Sequence, residues 1–89
     1  MTQDPFEKLR EQLELEEWPN VYFFKFIIPN NPENMARVMA MFDPNSEIQL
    51  HESENKKFVS VSVKEVMTDA NSIIEIYQKA QNIPGIISL

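Results

Sequence analysis

The longest apolar run in the chain is "VYFFKFIIP" at residues 21–29, with a single lysine at its centre. Its aromatic and β-branched residues, set between Pro19-Asn20 and "PNNP", predict a strand over 21–28. Ahead of it, "DPFEKLREQLELEEWP" places Phe6, Leu9 and Leu13 on one helical stripe. Asp4 is the expected N-cap, Pro5 the first helical residue, and Pro19 the stop. After the strand, "PENMARVMAMF" carries Met35, Val38, Met39 and Phe42 at helical spacing, with Asn31 as N-cap and Pro32 at the first position. "SEIQLHESE" and "KFVSVSVKEV" then alternate between apolar and polar residues across the short turn "ENK", which predicts a hairpin. Thr68 or Asp69 caps a further helix whose stripe is Ile73, Ile76, Tyr77 and Ala80. Asn82 and Pro84 end that helix, and "GIISL" reads as a short final strand.

The resulting order, βαββαβ behind a helical arm, predicts an α+β fold of the ferredoxin-like split β-α-β kind. Two helices would cover one face of a four-stranded antiparallel sheet, with the first and third strands central. Residues 1–19 are read as the acidic arm and 20–89 as the domain. Alternation by two sorts the central strands into faces. Tyr22, Phe24, Phe26 and Ile28, with Val59, Val61 and Val63, belong under the helices. Phe23, Lys25 and Ile27, with Phe58, Ser60 and Ser62, fall on the other, open face. Lysine is tolerated in the apolar run because its ammonium reaches water there. The phenylalanines Phe23 and Phe58, if adjacent, would form a patch that soluble monomers avoid. The favoured cover is the arm, folded back so that Phe6, Leu9, Leu13 and Trp18 lie on the sheet. The other covers are a second copy of the chain and an external partner.

Charge and composition narrow the chemistry. The chain of 89 residues has a net charge of -6. Residues 1–17 hold six acids against Lys8 and Arg10, so most of the excess lies in the arm. An acidic chain repels phosphate backbones and anionic lipid, so no nucleic-acid or membrane partner is expected. Aromatics on central strands also describe an RNA-binding sheet, but the glycines of that motif are missing and Ser60 stands where its second stacking ring belongs. There is no cysteine and one histidine, His51. Neither a thiolate site nor a converging metal set is expected, and no nucleophile–base pair is apparent. Gly85 is the only glycine, so no phosphate-cradling loop is available. No cofactor is expected, and the chain reads as a non-enzyme. With neither a targeting segment nor a membrane span in the sequence, a cytoplasmic location is the expectation.

"FKFIIP", "KFVSVSV" and "IIEIYQKAQNIPGIISL", together with the length, resemble the YbeD-like family of small bacterial proteins, a domain of unknown function. The resemblance runs from about Val21 to Leu89. It implies a ferredoxin-like fold similar to regulatory ACT domains, which bind small ligands near the loop after the first strand. In this chain that loop is "PNNPE", which makes Asn30 and Asn31 the residues of an alternative ligand loop. The leading expectation is a regulatory or interaction module. It would bind an unidentified protein partner, or form a homo-oligomer, through Phe23, Lys25, Ile27, Phe58, Ser60 and Ser62.

Overall fold

The computed structural model describes residues 5–89. Its elements in chain order are α1 (Glu7–Glu14), β1 (Asn20–Pro29), α2 (Pro32–Ala40), β2 (Glu47–Glu52), β3 (Phe58–Met67), α3 (Ala70–Ala80) and β4 (Ile87–Ser88). The four strands form one antiparallel sheet in the order β2-β3-β1-β4, so β1 and β3 are central, as their patterns predict. They pair along their full ten residues, from Asn20↔Met67 to Pro29↔Phe58. No helix among the described residues is long and apolar enough to cross a membrane.

The core forms where the predicted face of the sheet meets the helices. Phe24, Phe26, Ile28, Val59, Val61 and Val63 are buried, together with Val38, Phe42, Ile73, Ile74, Ile76, Tyr77 and Ala80. Phe24 is the hub of an aromatic cluster, its ring centre 4.7 Å from Tyr22, 5.4 Å from Phe42 and 5.6 Å from Tyr77. Offset and edge-on contacts of this kind add to what burial alone contributes. The Tyr22 and Tyr77 hydroxyls lie 3.0 Å apart and share a hydrogen bond. Burial, reinforced by that bond, pushes the Tyr77 phenol well above its ordinary range, which keeps it neutral inside the core.

The caps follow the sequence closely. The Asn31 side chain accepts from the Asn34 amide, and that of Asp69, rather than Thr68, accepts from the Ser72 amide, each at 2.8 Å. Helix α2 departs from its expected stripe. Met39 is half-exposed, while Asn34 is buried on α2 beside Val38. Asn34 points between two turns and donates through its side-chain amide to the carbonyls of Pro29 (3.3 Å) and Pro84 (3.5 Å). It thereby ties the end of β1 to the approach to β4.

The arm is the largest departure. It does not lie on the open face of the sheet. Helix α1 packs beside α3 on the helical side, with Leu13 buried in the core and Phe6, Leu9 and Trp18 packed against it. The Phe6 and Tyr77 rings stack at 6.4 Å, and Trp18 Nε1 donates to the Leu13 carbonyl at 2.8 Å. The stripe was rightly seen, but its complement is the flank of α3, where apolar groups already cluster. Pro5 and Phe6 form the turn that precedes the helix, which begins at Glu7. The expected cap Asp4 lies outside the described residues.

Two turns carry left-handed backbone. Lys56 (φ 58°) sits in the β2–β3 hairpin, and Gly85 (φ 75°) leads into β4. A Cβ on Gly85 would stand 2.8 Å from Pro29 Cγ, so glycine is required there on two counts. Gly85→Ala is expected to destabilise the fold in urea titration by about 1–2 kcal/mol from the backbone conformation alone, with the Pro29 contact adding to that.

The Asp69 carboxyl is held below its ordinary value of 3.8, first by the Ser72 amide and then by the Ser72 hydroxyl. A lowered folded value means that its contribution is present above 3.8 and is lost as pH falls through the folded value. Asp69→Asn should keep the cap while flattening this acid-side dependence in melting curves recorded from neutral pH downward. Asp69→Ala should lose stability at every pH.

Candidate functional site

None of the hollows among the described residues is lined by converging chemical groups. Among the described residues, no three histidine, aspartate or glutamate side chains are grouped so as to hold a metal ion. The distinctive surface is the side of the sheet that lacks helices. Its side chains fall in rows set by strand register. Val21 lies beside Val66, Phe23 beside Lys64 and Glu47, and Lys25 beside Ser62 and Gln49. Ile27 is flanked by Ser60 and Ile87, with His51 beyond Ser60, and Pro29 pairs with Phe58.

Both phenylalanines are exposed, Phe23 at 69% and Phe58 at 43%. Their rings do not point into the helical layer, as the alternation of β1 and β3 requires. They do not meet each other, however. Phe23 pairs with Lys64, six residues along β3 from Phe58, a separation of about 20 Å. The single patch expected from the sequence is therefore two patches. One consists of Val21, Phe23 and Val66, and the other of Ile27, Phe58 and Ile87, with the polar row of Lys25, Ser62 and Gln49 between them.

Each patch adjoins a shallow hollow. The first, of about 340 Å³, is lined by Phe23, Lys25, Glu47, Gln49, Ser62 and Lys64. Lys64 Nζ stands 5.9 Å from the centre of the Phe23 ring, within reach of a cation–π attraction. Glu47 faces Lys64 across the β2–β3 pairing, on the side of Lys64 away from the ring. The second hollow, of about 310 Å³, is lined by Ile27, His51, Ser53, Phe58 and Ser60. Aromatic and aliphatic groups beside isolated polar ones suit a protein contact.

All six residues expected on this face occupy it: Phe23, Ile27 and Phe58 in the patches, Lys25 and Ser62 in the band, and Ser60 between Ile27 and His51. Val66, Ile87 and Leu89 were not foreseen there, and they are 65%, 51% and 62% exposed. Val66 could have been found by extending the alternation of β3 by one step. The C-terminal residues could not, because a strand of two residues is too short to show alternation.

The Asn30–Asn31 loop is occupied by its own structure. Asn30 donates its side-chain amide to the Lys56 carbonyl at 2.9 Å, and Asn31 caps α2. With Asn34 bridging Pro29 and Pro84, the loop is tied to both the hairpin and the β4 turn. The signal for Asn34 was a lone amide at a core-facing helical position, set against the methionines around it.

These features define a small α+β protein whose distinctive surface is one side of its sheet. The chain belongs to the family described as "Protein of unknown function (DUF493)", whose model matches residues 14–89. The match starts near the end of α1 and takes in the whole sheet. No curated protein and no solved structure matches the chain.

Replacing Asn34 with leucine should remove its hydrogen bonds to the Pro29 and Pro84 carbonyls, of which Pro29's keeps the Asn31 amide. Chemical denaturation should register a loss of about 1–3 kcal/mol, from two hydrogen bonds at about 0.5–1.5 kcal/mol each. The amides of Asn30 and Gly85 should exchange faster in the same variant.

Proposed function

We propose that this chain is a non-catalytic module that binds another protein through the open face of its sheet. Its two contact points are the Phe23 and Phe58 patches. The observation that carries this reading is the pair of exposed phenylalanines on central strands, left uncovered while α1 docks on the opposite side of the molecule. Large apolar groups repeated on one face favour a partner over solvent. Rings separated by a polar band favour a partner that touches at two points over one that fills a single pocket.

The strand order, with α2 linking β1 to β2 and α3 linking β3 to β4, supports a ferredoxin-like frame carrying α1 as an added helix. The resemblance to the YbeD-like family and to ACT domains fits a bacterial, cytoplasmic, regulatory role. Sensing of a small ligand through Asn30 and Asn31 is the weaker reading, since both side chains already hold the loop together.

The double variant Phe23→Ala/Phe58→Ala separates the interaction role from a structural one. Exposed rings should cost less than about 1 kcal/mol of stability in total. Binding to a partner captured by the wild-type chain should fall at least tenfold. A loss of several kcal/mol in denaturation, or unchanged capture, would count against the reading.

A further inference from the structure

The helical layer stops short of the outer strand β2. On the side of the sheet that faces the helices, Ile28, Val59, Val61 and Val63 are almost wholly buried. Ile48 and Leu50 pair with Val63 and Val61, and so share that side. Ile48 is nonetheless only partly buried, and Leu50 is 49% exposed. Met39 of α2 is 44% exposed, although it belongs to the apolar pattern of its helix. Between α2 and β2 lies a hollow of about 870 Å³, lined by Ala36, Met39, Ala40, Phe42 and Ile48, with Asp43 at one end. It has more than twice the volume of the hollow beside Phe23, so it admits several side chains in a row. The groove follows the edge of the sheet opposite β4, and α1 packs beside α3, so neither of these terminal elements lies over it.

Charge at the groove has one sign. Asp43 borders it directly, and Glu65 lies next to it, accepting from the Ser46 hydroxyl at 2.7 Å. Asp43 accepts from the Asn45 amide, and neither carboxylate is ion-paired among the described residues. The cations are directed elsewhere. Arg37 and Lys79 line a different hollow, with Arg37 bonded to Glu33, and Lys25 and Lys64 stand on the open face. Past the far end of β2, Lys56 and Lys57 are matched in number by Glu52 and Glu54. On a chain with a net charge of -6, such a groove attracts cationic segments and repels nucleic acid and anionic lipid.

We propose that the groove between α2 and β2 docks a basic amphipathic helix of another protein. Laid alongside α2, that helix continues the helical layer over β2. Its apolar stripe covers Met39, Ile48 and Leu50, and its cations meet Asp43 and Glu65. The six residues of β2 span about 20 Å, the length of about 13 helical residues. That is enough for apolar anchors at i, i+3, i+4 and i+7. An added strand suits the site less well. Glu47, His51 and Glu52 along β2 oppose strand addition, and a strand would leave the groove above the sheet unfilled. The groove lies on the opposite side of the sheet from Phe23 and Phe58, so it stands or falls separately from the function proposed for the open face.

The test titrates the full chain into a labelled peptide of about 15 residues, with leucines on one helical stripe and lysines along its margins, read by fluorescence anisotropy. Saturable binding is expected, and it should weaken as added salt screens the charges. A peptide of the same composition with the stripe scrambled should bind about tenfold more weakly or worse. A version with glutamate in place of lysine should do the same. Met39→Ser/Leu50→Ser should weaken binding by about tenfold or more, with the circular dichroism spectrum retained. Asp43→Asn/Glu65→Gln should weaken it and flatten its salt dependence, whereas Phe23→Ala/Phe58→Ala should leave it unchanged. Amide chemical shifts of the unsubstituted chain give a readout that needs no variant to fold: the peptide should move Ala36–Phe42 and Ile48–Leu50. Absence of binding, or equal binding of the patterned and scrambled peptides, overturns the proposal. So does full binding by the folded serine variant, or a set of shifts centred on Phe23 and Phe58.

Discussion

The pairing of β1 with β3, ten residues long and fixed in one register, is the constraint on which the rest of the structure depends. A slip of one residue would exchange the faces of one strand, sending Lys25 into the core or Val61 into water. Phe24, Phe26 and Ile28 on one strand, with Val59, Val61 and Val63 on the other, prevent that slip, because all six are buried almost completely. The same pairing fixes which groups are left outside. The exposed rings of Phe23 and Phe58, and the polar band between them, follow from the burial of their neighbours.

The helical layer has a capacity that the arm completes. Helices α2 and α3 cover the sheet, but Tyr77 and Tyr22 lie towards one margin of the core. Phe6, Leu9, Leu13 and Trp18 extend the apolar layer there. Docking at this margin lets α1 bury its stripe against rings that are themselves partly buried. Docking on the open face would have set the same stripe against Lys25, Ser60 and Ser62, whose polar groups would then lose water without gaining partners. The choice between the two positions is thus a matter of which surface can be dehydrated at least cost. It leaves the open face uncovered by the described helices.

Several polar residues serve architecture rather than recognition. Asn31 and Asp69 satisfy helix N-termini, Asn34 bridges two carbonyls, and Asn30 anchors the hairpin. Amides next to proline and glycine turns invite a ligand-binding interpretation. Here their hydrogen-bonding capacity is directed at the backbone, which has few glycines to relieve its turns. What remains on the open face is mostly apolar side chain with a band of polar groups.

The sequence by itself determined the order of the elements, the Asn31 cap and the face on which each central-strand residue lies. All of these rest on local rules: the two-residue period of a strand, the helical stripe, and the chemistry of residues that precede a helix. Only the tertiary structure decided that Phe23 and Phe58 sit far apart, since register depends on where the hairpin and crossovers let the strands meet. It also decided where α1 docks, since an amphipathic stripe states that it needs a partner but not which one. Alternation along one strand is a local property, whereas adjacency between strands depends on the whole fold.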